Sequence, residues 1–143
     1  MEQRVNIYQS EPKAYDGMFA LEQFLNDSPL SKQQISLIKM RASQINGCAY
    51  CINMHTEEAI KAGETHQRLH MLNAWKESNL FSDEEKVLLK ITEEITLINQ
   101  NGLTDKTYQR AQHLFTDQTL IAIIMATTTI NAWNRIAIST RMQ

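Results

Sequence analysis

Glycine and proline are scarce in this chain, with four and two among 143 residues. Few positions therefore favour tight turns, and alternating strand patterns are absent, which argues against a β sandwich or barrel. Lysine and arginine form no run and the formal net charge is −2. A surface that tracks phosphates is not expected, so nucleic acid is not an expected partner. The opening MEQRVNIYQS lacks the apolar stretch of a secretory signal. The longest apolar-leaning segment, 120–133, is interrupted by Thr127, Thr128, Thr129 and Asn131. It is too short to cross a bilayer comfortably and reads as a helix buried in a core or a subunit interface. No membrane partner is expected, and the expected compartment is the cytoplasm, where thiols stay reduced. Cysteine is almost missing: Cys48 and Cys51 are the two present, three positions apart. A staple closing so short a loop would add little stability through chain entropy. That spacing favours redox or metal chemistry over scaffolding. No glycine-rich phosphate loop for a flavin or nicotinamide is visible, so no cofactor is expected and reducing power must come from outside.

What is present is helical periodicity. Hydrophobic residues make up 43% of the chain, enough for a core at this length. The expectation is an all-α fold: a single helical domain over 1–143, of about six to eight helices, that oligomerises through helix packing. The first helix is placed over 16–26, with Phe19, Leu21, Phe24 and Leu25 apolar. Ser28-Pro29 ends it. Ser31 caps the next helix and Gln34 stands three later, a capping box. Asn46-Gly47 interrupts that run, and a third helix is placed from about Cys48 to Gly63. A shorter segment spans 65–77. Ser82 and Glu85 form a second capping box, and Leu88, Ile91, Ile95 and Ile98 follow on one stripe until Asn101-Gly102. Thr104 opens a short helix through His113, and the last helix covers about 117–138.

The candidate chemistry sits in Asn46-Gly47-Cys48-Ala49-Tyr50-Cys51-Ile52-Asn53-Met54-His55. On a helix of about 100° per residue, Cys51 lies about 60° and His55 about 20° from Cys48, so the three side chains form one stripe. The spacing permits a disulfide. A helix N-terminus lowers a thiol pKa, and an imidazole one turn away can take the thiol proton. The thiolate can attack a peroxide and become a sulfenic acid, which the second cysteine condenses to a disulfide. Two other readings remain open at this point. The cysteines can be small core residues, or Cys48, Cys51 and His55 can bind zinc with a fourth ligand from His66, His70, His113 or a carboxylate.

The stretch 37–51 followed by His55, Ala59 and Gly63, together with Trp75, Leu80-Phe81-Ser82-Asp83-Glu84-Glu85 and Ile130-Asn131-Ala132-Trp133-Asn134-Arg135, resembles the alkylhydroperoxidase D-like branch of the carboxymuconolactone decarboxylase superfamily. The resemblance covers most of the chain from about Met18. It implies an all-helical protomer assembling into dimers, trimers or hexamers. It also implies thiol-dependent reduction of a hydroperoxide substrate, with electrons returned by a lipoylated or thioredoxin-like protein reductant. By the same resemblance Cys51 attacks the peroxide, Cys48 resolves it and His55 belongs to the proton relay. Two positions depart from the pattern. The relay glutamate twelve positions before the first cysteine is Ser36 here, and the histidine often found between the cysteines is Tyr50. A serine cannot act as a carboxylate base near neutral pH, which implies slow turnover or a relay rebuilt from another group. The alternatives are a redox-sensing or scaffold protein of the same fold, or a decarboxylase or lactone-type enzyme of the superfamily.

Around the cysteines, Arg41 and Gln44 either support the thiolate or satisfy helix-end carbonyls, and Tyr50 either donates near the site or is divided between core and surface. Asn131, Trp133, Asn134 and Arg135 read first as packing and a structural polar network, and Glu57 and Glu58 as a solvated face. The apolar circumference of 120–133 exceeds what one small domain needs to bury. Light scattering at micromolar concentration is therefore expected to return a mass well above the 16.5 kDa of one chain.

Overall fold

The computed structural model describes residues 2–143; Met1, the first residue of the expected domain, lies outside them. Among the described residues the protein is all helical and has no strand. The order is α1 (Ile7–Ser10), a 3-10 turn (Pro12–Tyr15), α2 (Asp16–Asn26), α3 (Lys32–Asn46), α4 (Ala49–Lys61), α5 (His66–Met71) running into a second 3-10 turn (Leu72–Ala74), α6 (Asp83–Thr96), α7 (Asp105–Gln112) and α8 (Asp117–Thr140).

Both capping boxes form. The Gln34 N–H donates to Ser31 Oγ at 3.1 Å while the Ser31 N–H donates to Gln34 Oε1 at 2.9 Å. Ser82 and Glu85 repeat the exchange at 3.2 and 2.8 Å. The central helix α3 packs on α4, α6 and α8. Leu37 and Ile38 of α3, Leu88, Leu89 and Ile91 of α6, and Ile123 and Ile130 of α8 are fully buried and fill the space between them.

The 24 residues of α8 extend about 36 Å. By length and composition this helix could cross a membrane, yet half of its apolar window is buried inside the protein. Its threonines fit because their hydroxyls bond within the helix: Thr127 Oγ1 donates to the Ile123 carbonyl at 2.9 Å and Thr129 Oγ1 to that of Met125 at 2.8 Å.

Three local readings change. The helix placed first, 16–26, is preceded by another: Asn6 caps α1 by accepting from the Gln9 N–H at 3.1 Å, in an element too short to show periodicity. Phe19 and Phe24, expected on the apolar face of α2, are 51% and 44% exposed. Helix α6 stops at Thr96, so Ile98 leaves the stripe and is exposed. The cause is Glu94, whose carboxylate accepts from the Thr104 N–H and the Thr107 hydroxyl, each at 2.9 Å, and folds the following segment back along the end of α6.

Gly47 leaves α3 with φ 69° and ψ 31°, the left-handed region, and a Cβ there would meet nothing within 4 Å. Backbone conformation alone therefore disfavours a side chain. Gly47→Ala is expected to lower stability by about 1–2 kcal/mol, read from the urea midpoint.

Candidate functional site

The site is built at the start of α4. Cys48 is the N-cap residue rather than part of the first turn, with φ −83° and ψ 94°, and its sulfur accepts the Cys51 N–H at 3.3 Å. Cys48 and Cys51 form a disulfide, with Cα atoms 5.3 Å apart. Both are almost wholly buried, and so is His55, at 4% exposure.

The two cysteines line different spaces. Cys51 lies on the wall of a cavity of about 440 Å³ that it shares with His55, Met54, Tyr15, Phe19 and Trp133. Cys48 lies on a separate groove of about 530 Å³, bounded by Arg4, Ala137 and Arg141. Tyr50 reaches both. The walls of the Cys51 cavity carry an aromatic cluster: the Tyr15 ring centroid is 5.2 Å from that of Trp133 and 5.9 Å from that of Phe19. Three charged residues also line it, Glu22 of α2, Lys39 of α3 and Glu58 of α4.

His55 Nδ1 is 2.7 Å from Glu58 Oε2. A carboxylate can only accept, so Nδ1 donates and Nε2 is left as the acceptor. Burial pushes the His55 pKa below its ordinary 6.5; the hydrogen bond to Glu58 opposes this and the charge of Lys39 adds to it. The imidazole is thus neutral near pH 7 and can take a proton. Glu58, read from the sequence as solvated, is indeed half exposed, but it is also the group that orients His55. Its spacing of three residues on one helix is the signal that could have revealed this.

The other sequence candidates separate. Ser36 is buried in α3 and is not a wall of either cavity next to the cysteines. The Arg41 guanidinium donates to Glu93 Oε1 at 3.0 and 2.7 Å and to Asn73 Oδ1 at 2.8 Å, tying α3 to α6 and to the second 3-10 turn. Gln44 Nε2 donates to the Leu69 carbonyl at 3.4 Å. Trp75 Nε1 and Lys76 complete the ring around Glu93, at 2.8 and 3.0 Å. His66 and His70 lie side by side on another groove, with ring centroids 6.3 Å apart. Asn131 and Asn134 do form a structural network, described below, while Trp133 belongs to the cavity.

Comparisons with known proteins follow this geometry. A profile of the carboxymuconolactone decarboxylase family matches residues 12–94. The uncharacterized protein YdfG of Bacillus subtilis (strain 168) is 40% identical over 139 residues, which span 97% of this chain and 95% of that protein. A crystal structure from Agrobacterium tumefaciens, of a protein of unknown function described as a candidate antioxidant defence protein AhpD, superposes with a TM-score of 0.95 at 35% identity, covering 99% of this chain and 97% of that one. The alkylhydroperoxidase AhpD core of an uncharacterized peroxidase-related protein from Ralstonia eutropha JMP134 shares the fold, with a TM-score of 0.82 at 18% identity over 95% of this chain and 73% of that one.

The lowered His55 pKa has a consequence for stability. Above about pH 6.5 the imidazole is neutral whether the chain is folded or not. Below that value the unfolded chain binds a proton that the folded site refuses, so stability falls with pH until the lowered folded pKa is reached. Glu93 and Glu94, held below their ordinary 4.5 against the opposing effect of burial by their hydrogen bonds and cationic neighbours, add their loss at more acidic pH. Urea titrations between pH 7 and 5 are expected to show the decline, and His55→Gln to flatten it in that window.

Proposed function

Because the chain belongs to the carboxymuconolactone decarboxylase family, on its alkylhydroperoxidase D-like side, we propose that it is a thiol-dependent hydroperoxide reductase acting through Cys48 and Cys51. The observation that carries this reading is the placement of Cys51 and a neutral, oriented His55 on the wall of one largely apolar cavity.

In the first step His55 Nε2 takes the Cys51 proton and the thiolate attacks the terminal peroxide oxygen. The S–O bond forms as the O–O bond breaks, and the departing alkoxide recovers the proton from His55. Cys51 is now a sulfenic acid. Cys48 attacks it; the S–S bond forms, the S–O bond breaks and water leaves. In sum, two thiols and one hydroperoxide give one disulfide, one alcohol and one water. An external dithiol, carried by a lipoylated or thioredoxin-like protein, returns both electrons by exchange. The separate groove at Cys48 gives that dithiol a face away from the peroxide cavity.

Peroxide consumption with cumene hydroperoxide and dihydrolipoamide tests the reading. Turnover is expected, Cys51→Ser is expected to abolish it, and His55→Ala to slow it by about 10²-fold or more. Sulfenic acid should be trapped on Cys51 in Cys48→Ser. Trapping on Cys48 alone, in Cys51→Ser, reverses the roles. A disulfide that forms reversibly without turnover leaves redox sensing as the function.

A further inference from the structure

Position 36, where the family resemblance calls for a relay carboxylate, is serine, and Ser36 is absent from the Cys51 cavity wall. One turn further along α3 a different charged group occupies that wall. The Lys39 side chain is 12% exposed, and its Nζ donates to the two Glu22 oxygens at 3.2 and 2.9 Å. Glu22 Oε1 also accepts from Trp133 Nε1 at 3.0 Å. Three helices, α2, α3 and α8, thus fix one ion pair on the wall of the cavity that Cys51 also lines. Drawing an ammonium this far out of water is costly, and α2 is already docked by its packing on α8. The pair is better explained by what its charge does to its neighbours.

The ionisable groups facing the cavity are Glu22 from α2, Lys39 from α3, Tyr50, His55 and Glu58 from α4, and Tyr8 and Tyr15 from the N-terminal segment; α8 contributes Trp133 and Ala137. Among the described residues Lys39 is thus the lysine or arginine on this wall. We propose that the Glu22–Lys39 ion pair takes the place of the relay carboxylate, with the Lys39 ammonium stabilising the Cys51 thiolate and Glu22 positioning the ammonium. The proposal rests on the hydroperoxide reductase reading and names a charge in that same site. One cation serves two ends. It favours the anion on Cys51 and, against the smaller opposing charge of Glu22, disfavours the cation on His55, which keeps Nε2 an acceptor before the attack and makes the imidazolium a readier donor to the alkoxide after it.

The test measures Cys51 alkylation by iodoacetamide against pH in the reduced full-length Cys48→Ser protein, with no peroxide present. Lys39→Met is expected to raise the pH midpoint by about one unit or more, the size of effect that a nearby opposite charge produces. Lys39→Arg is expected to keep it near the parent value. Lys90→Met, which removes the surface cation paired with Glu94 on α6, is expected to leave it in place. The double variant Glu22→Gln with Lys39→Met neutralises the pair without stranding a carboxylate, is read wherever Lys39→Met alone fails to fold, and is expected to raise the midpoint too. A midpoint unmoved in the folded neutral variants, or moved equally by Lys90→Met, overturns the proposal and reduces the pair to a tie between helices. Peroxide consumption by the parent is measured alongside. Turnover with an unmoved midpoint sinks the Lys39 role alone. A moved midpoint without turnover sinks the reductase reading and leaves the thiolate–ammonium interaction standing.

Discussion

The Cys48 backbone N–H donates to the Ser43 carbonyl at 3.0 Å, and the Gly47 N–H donates to that of Gln44 at 3.3 Å. These two bonds close α3 in a Schellman turn. The same Cys48 then opens α4 with its sulfur, so one residue ends a helix with its main chain and starts the next with its side chain. The joint is clamped from outside. Asn46, the last residue of α3, donates to Asn131 Oδ1 at 3.0 Å and Asn134 Oδ1 at 2.8 Å on α8. Asn134 Nδ2 returns a bond to Ser43 Oγ, and Asn131 Nδ2 donates to Thr96 Oγ1 of α6, both at 3.0 Å. Satisfied polar groups in a dry interior are directional in a way that leucine and isoleucine are not. They hold the register of α3 against α8, and with it the position of both sulfurs.

From that joint the division of the site follows. An N-cap residue lies off the helical stripe, so Cys48 does not share the direction that Cys51 and His55 take into the apolar cavity. The stripe read from the sequence is therefore true of two of its three members. The helix N-terminus lies at Cys48, and the buried histidine and the Glu22–Lys39 pair line the cavity of Cys51. A thiol pair with one cysteine lining an apolar cavity and the other lining a groove bounded by two arginines can meet two chemically different reactants without one blocking the other.

Local signals carried most of the fold. Capping boxes at Ser31 and Ser82, the glycine after Asn46 and the apolar periods of α3, α6 and α8 depend on neighbours three or four residues away, and all are legible in one dimension. Helix α6 ended early because Glu94 reaches Thr104, a contact that no period announces. In the site, the cysteine pair and His55 were visible as a motif, and the His55–Glu58 pair could have been. Lys39 and Glu22 were not, because they lie on different helices and meet only once α2 and α3 have both packed on α8. Arg41 and Gln44 sit close to Cys48 in sequence but on another side of α3, where Glu93 and the Leu69 carbonyl hold them.

Trp133 joins the apolar and the charged parts of the cavity. Its ring packs against Tyr15 and Phe19, so it helps to exclude water, while its indole N–H fixes Glu22. Water exclusion matters to the charge: the interaction between an ammonium and a thiolate grows as the effective dielectric falls. An apolar wall that only admitted substrate would leave Lys39 too weakly coupled to influence Cys51, and an ion pair without that wall would be screened by solvent. The N-terminal segment and α8, which carry no cysteine and no histidine, thereby set how strongly the residues of the motif can act on one another.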